Sequence, residues 1–219
     1  MEIELKYNID SKELMDKIWT NTFFAEIEEE DSRGTTKMKA AYYDTADHDL
    51  MKNGLAFRIR LEGDRCIGTL KYRDRDKTGD GQYASIDGLY AREEINVPIS
   101  SKDCFICPDT AMFQGSEEGK KLIEISDGKE LICLFETIFV RRNFRIDTDD
   151  TICEVSLDEG EIIAGEKRAE IHELEIELFS GKEEVLLKIG SEVESLFDLK
   201  PEPLSKYARG KRLVAGESQ

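Results

Sequence analysis

Histidine is scarce in this chain, which carries only His48 and His172 in 219 residues. Two distant histidines give no zinc-ligand pair, and no serine or cysteine triad is visible. His172 reads as a packing or surface residue. Cysteine is irregular: Cys66, Cys104, Cys107, Cys133 and Cys153 form an odd set without framework spacing, and Cys104-Phe-Ile-Cys107 is a lone CxxC. All five read as inert thiols rather than zinc or redox groups. No apolar run approaches the ~20 residues of a membrane span. A secretory leader would not place Glu2 at its start, so the cytoplasm is the expected location. Basic charge is also short, with 31 Lys and Arg against 48 Asp and Glu for a net charge of -17. Without a basic run, nucleic acid is excluded as a partner. Gly79-Asp-Gly81 lacks the spacing and following helix of a phosphate-cradling P-loop.

Alternation is present in quantity. In an extended strand successive side chains point to opposite faces, so Glu2, Glu4 and Lys6 share one face while Ile3, Leu5 and Tyr7 share the other. Glu173, Glu175 and Glu177 repeat the pattern near the C-terminus against Leu174 and Ile176. Further segments do the same. Arg58 and Arg60 alternate with Phe57, Ile59 and Leu61, and Lys71 and Arg73 flank Tyr72. Arg92, Glu94 and Asn96 oppose Ala91, Ile95 and Val97, although Glu93 falls on the second face. Arg141, Asn143 and Arg145 oppose Val140, Phe144 and Ile146, with Arg142 breaking the apolar side. Glu154, Ser156 and Asp158 oppose Cys153, Val155 and Leu157.

One such strand would be ordinary half-solvated sheet. Seven imply that the apolar faces pack outward on helices and the charged faces line the interior of a closed or nearly closed barrel. Clustered carboxylates are the oxygen donors that hard cations such as Mg²⁺ or Mn²⁺ prefer. Acids and bases held together suit a polyanion bound with a metal ion, such as a nucleotide or an inorganic polyphosphate.

These residues resemble the CYTH superfamily of triphosphate tunnel metalloenzymes, and within it the bacterial inorganic triphosphatases. The resemblance rests on Glu2-x-Glu4-x-Lys6, Tyr42-Tyr-Asp-Thr45, Gly54-Leu-Ala-Phe-Arg-Ile-Arg60, Thr69-Leu-Lys71, Arg92-x-Glu94-x-Asn96, Phe139-x-Arg141, Glu154-Val-Ser-Leu-Asp158, Glu173-Leu-Glu-Ile-Glu177 and Leu204-Ser-Lys206-x-Ala-Arg209-Gly210. It runs through residues 1–213 of what reads as one domain, 1–219. The resemblance implies an α+β fold: an eight-stranded antiparallel closed β-barrel with helices packed outside. It also implies a divalent metal, Mg²⁺ or Mn²⁺, on Glu2, Glu4, Glu175 and Glu177, with Glu154 and Glu173 as further acids. Lys6, Arg58, Arg60, Lys71, Arg141 and Lys206 would clamp phosphate oxygens, and Arg73 and Arg92 join them by strand parity. Lys6 is expected beside the reacting phosphoryl, with Asp158 or Glu94 orienting water.

The leading expectation is hydrolysis of inorganic triphosphate to pyrophosphate and phosphate. A class IV-type adenylate cyclase, a thiamine or nucleoside triphosphatase and a non-catalytic polyphosphate-binding module are the alternatives. The expected partner is a small triphosphate, with neither nucleic acid nor membrane, and a homodimer is a candidate assembly. Outside the strands, Asp10 with Glu13 and Ser180 with Glu183 read as capping boxes opening helices. Residues 74–90 read as a polar loop and 100–135 as mainly helical.

Overall fold

The computed structural model describes residues 2–72, 89–100, 105, 108–148 and 150–217. Its strands are β1 (Glu2–Asn8), β2 (Gly34–Thr45), β3 (Leu55–Glu62), β4 (Arg65–Tyr72), β5 (Leu89–Ile99), β6 (Leu131–Thr148), β7 (Thr151–Ala164), β8 (Lys167–Ser180) and β9 (Lys200–Pro201). The helices are α1 (Lys12–Trp19), α2 (Thr22–Ile27), α3 (Asp49–Lys52), α4 (Glu117–Ser126), α5 (Glu183–Phe197) and α6 (Lys206–Ala215), with a 3-10 turn at Thr110–Phe113. The described residues of each of the seven alternating segments lie in a strand. The 74–90 loop falls outside the described residues except at its last two positions, which begin β5.

The expected eight-stranded closed barrel is corrected. The structure is a nine-stranded antiparallel sheet in the order β5-β4-β3-β2-β6-β7-β8-β1-β9. The free edge of β1 is divided between two neighbours: Glu2 to Leu5 face β5, whereas Tyr7 and Asn8 face β9. The sheet curls until β5 meets β1, over four residue pairs among the described residues. The α+β class stands.

Two outward cores drive the curl. Leu5, Tyr7, Val155, Leu157, Leu174 and Ile176 pack under Met15 and Ile18 of α1, Phe24 of α2 and Leu186 and Val193 of α5. Phe57, Ile59 and Leu70 pack under Leu50 of α3, Phe113 and Leu122 of α4. Inward, the charged design holds only in part. Met38, Ala40, Tyr42, Phe135, Phe139, Ile162 and Ile171 form a third cluster with Leu213 of α6. One end of the interior is thus apolar and sealed by a helix.

Local starts differ from the expected ones. The cap of α1 is Ser11, whose hydroxyl accepts from the Leu14 amide at 3.2 Å, not Asp10. Ser180 ends β8, and Lys182 caps α5 without a side-chain bond. Gly181, at φ +102°, makes the turn between them. Among the described residues of 100–135 only the 3-10 turn and α4 are helical, and β6 has begun by Leu131. Cys66 is disulfide-bonded, which corrects its reading as an inert thiol, whereas Cys133 and Cys153 are free. No helix among the described residues is long and apolar enough to cross a membrane.

Gly210 lets α6 seat against the sheet, because a Cβ there would lie 2.2 Å from Phe135 Cε2. Gly210→Ala should therefore lower stability by about 1–3 kcal/mol through overpacking. Gly115→Ala, with nothing within 4 Å of the added carbon, should be close to neutral. Urea midpoints of the two variants check this; equal midpoints would remove the contact from the account.

Candidate active site

A cavity of about 490 Å³ lies inside the curled sheet. Strand register fixes its acidic wall. Glu4 lies opposite Glu177, and Glu177 lies opposite Glu154, so three adjacent strands place three carboxylates in one row. Two residues further along, Lys6, Glu175 and Ser156 form the next row. The third runs Asn8, Glu173, Asp158, Arg141. With strands ~4.8 Å apart, directly opposed like charges repel, and the first row is a place where a cation between the oxygens relieves that repulsion. Glu154 accepts from Asn143 Nδ2 at 3.1 Å and Ser156 Oγ at 3.3 Å, which hold it on the row.

The deeper rows are crossed by ion pairs. The Lys206 ammonium stands 2.8 Å from Asp158 Oδ2, 2.5 Å from Glu173 Oε2 and 2.8 Å from Glu175 Oε1. Those three carboxylates have oxygens within 4.8 Å of one another, close enough to share a metal ion, but the ammonium lies among them. Arg141 grips Asp158 through Nε at 2.8 Å and Nη2 at 2.7 Å, and Nη2 also reaches Glu175 at 2.6 Å. Lys6 is 2.9 Å from Glu175 and 3.8 Å from both Glu4 and Glu173. Arg209 Nη1 donates to Glu173 at 2.7 Å, and its Nη2 donates to the Glu170 carbonyl. Burial alone would push the Glu175 carboxyl up, but Lys206, Lys6 and Arg141 outweigh it and hold the group well below the usual range. Burial would lower Lys6 and Lys206, yet the surrounding carboxylates raise both.

The opposite wall is cationic. Arg58 and Arg60 on β3 and Lys71 on β4 line it. Burial and then the field of Arg58 lower the Arg60 guanidinium to about 10, against the pull of Glu62 at 2.7 Å. Lys71 pairs with Glu94 at 2.7 Å. Asn96 Nδ2 donates to Glu94 at 2.6 Å, while Thr69 Oγ1 donates to Asn96 Oδ1 at 2.7 Å. Burial would raise the Glu94 carboxyl, but Lys71 and Asn96 prevail and hold it at about 2. Its contribution to stability is present above the ordinary carboxylate range and is lost as pH falls toward 2.

Of the cations expected from sequence, Lys6, Arg58, Arg60, Lys71, Arg141 and Lys206 line the cavity. Of the acids, Glu4, Glu94, Glu154, Glu175 and Glu177 do so. Asp158 and Glu173 are fully buried behind the wall. Arg73 lies outside the described residues. Glu2 and Arg92 are backbone partners between β1 and β5, with side chains outside the described set. Sequence reasoning gave no role to Arg209, Tyr42, Glu62 or Arg65. Arg209 follows Lys206 by three residues on α6 and so shares its face, a readable signal. Tyr42 sits on an inward stretch of β2 that carries no charge, where a search for charged parity is blind; its ring stacks on Phe135 at 4.5 Å. Burial would raise its hydroxyl, but the neighbouring Arg58 lowers it.

A family model for the CYTH domain matches residues 1–210. The chain belongs to the CYTH family. The inorganic triphosphatase of Haemophilus influenzae is 32% identical over 157 residues, which cover 72% of this chain and 37% of that protein. This CYTH chain thus spans little more than a third of that relative. Among solved structures, a candidate adenylyl cyclase from Hippeastrum with a dominant triphosphatase activity superposes with a TM-score of 0.66 at 19% identity, covering 100% of this chain and 98% of that one. A candidate adenylate cyclase from Bacillus halodurans gives 0.56 at 20% identity, with 94% of each chain covered. At such identities these two likenesses concern the fold.

Replacing Lys206 by Met keeps much of the side-chain volume but leaves three buried carboxylates without their shared cation. Lys206→Met should cost about 3–5 kcal/mol at pH 7. Denaturant melts at pH 7 test this; a loss below about 1 kcal/mol would contradict the central role of the ammonium.

Proposed function

We propose that the chain hydrolyses inorganic triphosphate to pyrophosphate and phosphate with the help of a divalent cation. One observation carries the reading: strands far apart in the sheet order bring a cationic wall and a row of three carboxylates to the same cavity. A linear chain of phosphoryl groups needs positive charge along its length, and a metal needs anionic oxygen at one end. The resemblance to a triphosphatase over 72% of the chain supports the same choice.

The acids divide by row. Glu4, Glu177 and Glu154, facing one another across three strands, are the oxygen donors assigned to Mg²⁺ or Mn²⁺, whereas the Lys206 ammonium stands among the deeper trio. The cation they hold would supply a Lewis acid for the attacking water or a phosphoryl oxygen. Arg58 and Arg60 bind phosphate oxygens through planar donors, and Lys71 does so as a point charge. Lys6, at the boundary between the acidic row and the buried ions, places positive charge beside the reacting phosphoryl. Glu94 stays ionised near neutral pH and serves as an acceptor that orients water rather than as a strong base. Asp158 and Glu173 hold Arg141 and Lys206 in place instead of meeting substrate.

The purified chain should release phosphate chiefly from inorganic triphosphate when supplied with Mg²⁺ or Mn²⁺, and much less from ATP or thiamine triphosphate. Arg60→Ala should raise KM by about tenfold or more, as expected for loss of a charge-assisted contact worth roughly 1.5–3 kcal/mol, with a small change in Tm. Cyclic AMP and pyrophosphate formed from ATP would replace this reading with a cyclase. Tight triphosphate binding without turnover would make it a binding module.

A further inference from the structure

The outer surface of β2, β6 and β7 carries a second pattern, outside the cavity. Ile138 and Val140 point outward from β6 with 42% and 39% of their surface exposed. Their strand neighbours are charged and sorted by sign. Lys39 on β2 and Glu161 on β7 flank Ile138, whereas Lys37 and Glu159 flank Val140. The patch is thus a basic stripe, an apolar stripe and an acidic stripe laid side by side over two rows.

Rotation by 180° about an axis lying along β6 in the plane of contact exchanges the two sides of this patch and keeps its rows. It sets each lysine over a glutamate of the other copy and each apolar residue over itself, which is the self-complementarity that a two-fold interface requires. A partner of one charge sign would meet repulsion from one of the two stripes, so charge complementarity selects a second copy of this chain. We propose that this face joins two copies in a dissociable homodimer, with Ile138 and Val140 on the axis and Lys37 and Lys39 facing Glu159 and Glu161 of the other copy.

The existing surface pairs do not oppose this. Lys39 meets Glu136 at 2.7 Å, Glu159 meets Lys12 at 2.6 Å and Glu161 meets Arg168 at 3.6 Å, all with solvent access. Exposed pairs of this kind contribute little, so trading or sharing them costs little. Arg142, paired with Asp16 of α1 at 2.9 Å, ends the patch on one side and Glu136 ends it on the other. Packed sheets twist some 30° relative to each other, so contact centres on the two rows and separates the like charges beyond them.

Sedimentation equilibrium over a wide concentration range tests the proposal. The wild-type chain should show a reversible monomer–dimer equilibrium, and Val140→Glu should be monomeric with an unchanged Tm. Lys37→Glu alone and Glu159→Lys alone should each weaken dimerisation by about tenfold or more, as lost and reversed charge pairs do. Carrying both changes in one chain, or mixing the two single variants, should restore the dimer because opposite charges again face each other. A wild-type chain that stays monomeric at its highest soluble concentration would overturn the proposal. So would a dimer indifferent to Val140→Glu, or single variants that mixing does not rescue.

Discussion

The arrangement of this fold depends on one ammonium group. Lys206 stands at the start of α6 and reaches carboxylates from two strands, Asp158 on β7 and both Glu173 and Glu175 on β8. Three buried acids so close together would repel strongly without it, and the lysine would not stay charged in that setting without them. Arg209 and Arg141 extend the chain at either end, so the helix that seals the interior is fastened to the acidic wall by ion pairs as well as by Leu213 and Gly210. The shape of the cavity and the stability of the fold therefore share the same bonds on this side.

The facing wall obeys a different logic. Arg58, Arg60 and Lys71 line it together, and the lowered value of Arg60 records first its burial and then the repulsion from Arg58. Glu94 and Glu62 relieve part of it through pairs at 2.7 Å. A polyanion would relieve the rest, so a wall that is unfavourable alone becomes favourable when a triphosphate lies along it. Most of the net charge of -17 must lie elsewhere, and two sheet faces handle it in opposite ways. The inner face concentrates charge for a ligand, whereas the outer face of β2, β6 and β7 sorts it into stripes.

Side-chain parity was legible in the sequence because a strand has a period of two whatever its neighbours. It placed the described parts of all seven charged segments on strands and brought Lys6, Arg58, Arg60, Lys71 and Arg141 to one cavity. Register was not legible, because it depends on which strands pair and on bulges such as that between Tyr42 and Tyr43. Hence the sequence could name Glu154, Glu173, Glu175 and Glu177 as one acidic group but could not divide them into an outer row and a buried trio. Strand count failed for a related reason: Lys200–Pro201 is too short to show alternation, yet it occupies part of the β1 edge that a closed barrel would need. The inward face of β2 was not legible because Met38, Ala40 and Tyr42 carry no charge to set it apart from an outward apolar face. Helix starts slipped where two capping residues lay close together, as with Asp10 and Ser11.

The division of the acids is the central claim, and a metal-binding titration tests it most directly. Mn²⁺ binding would be measured by calorimetry for the wild-type chain, Glu177→Gln and Glu173→Gln, each verified as folded by its melting curve. The account predicts that Glu177→Gln weakens Mn²⁺ binding by more than about tenfold, as expected when a coordinating oxygen is lost, while Glu173→Gln changes it far less. Binding abolished by Glu173→Gln and retained by Glu177→Gln would contradict it, because the ion would then sit where Lys206 is placed.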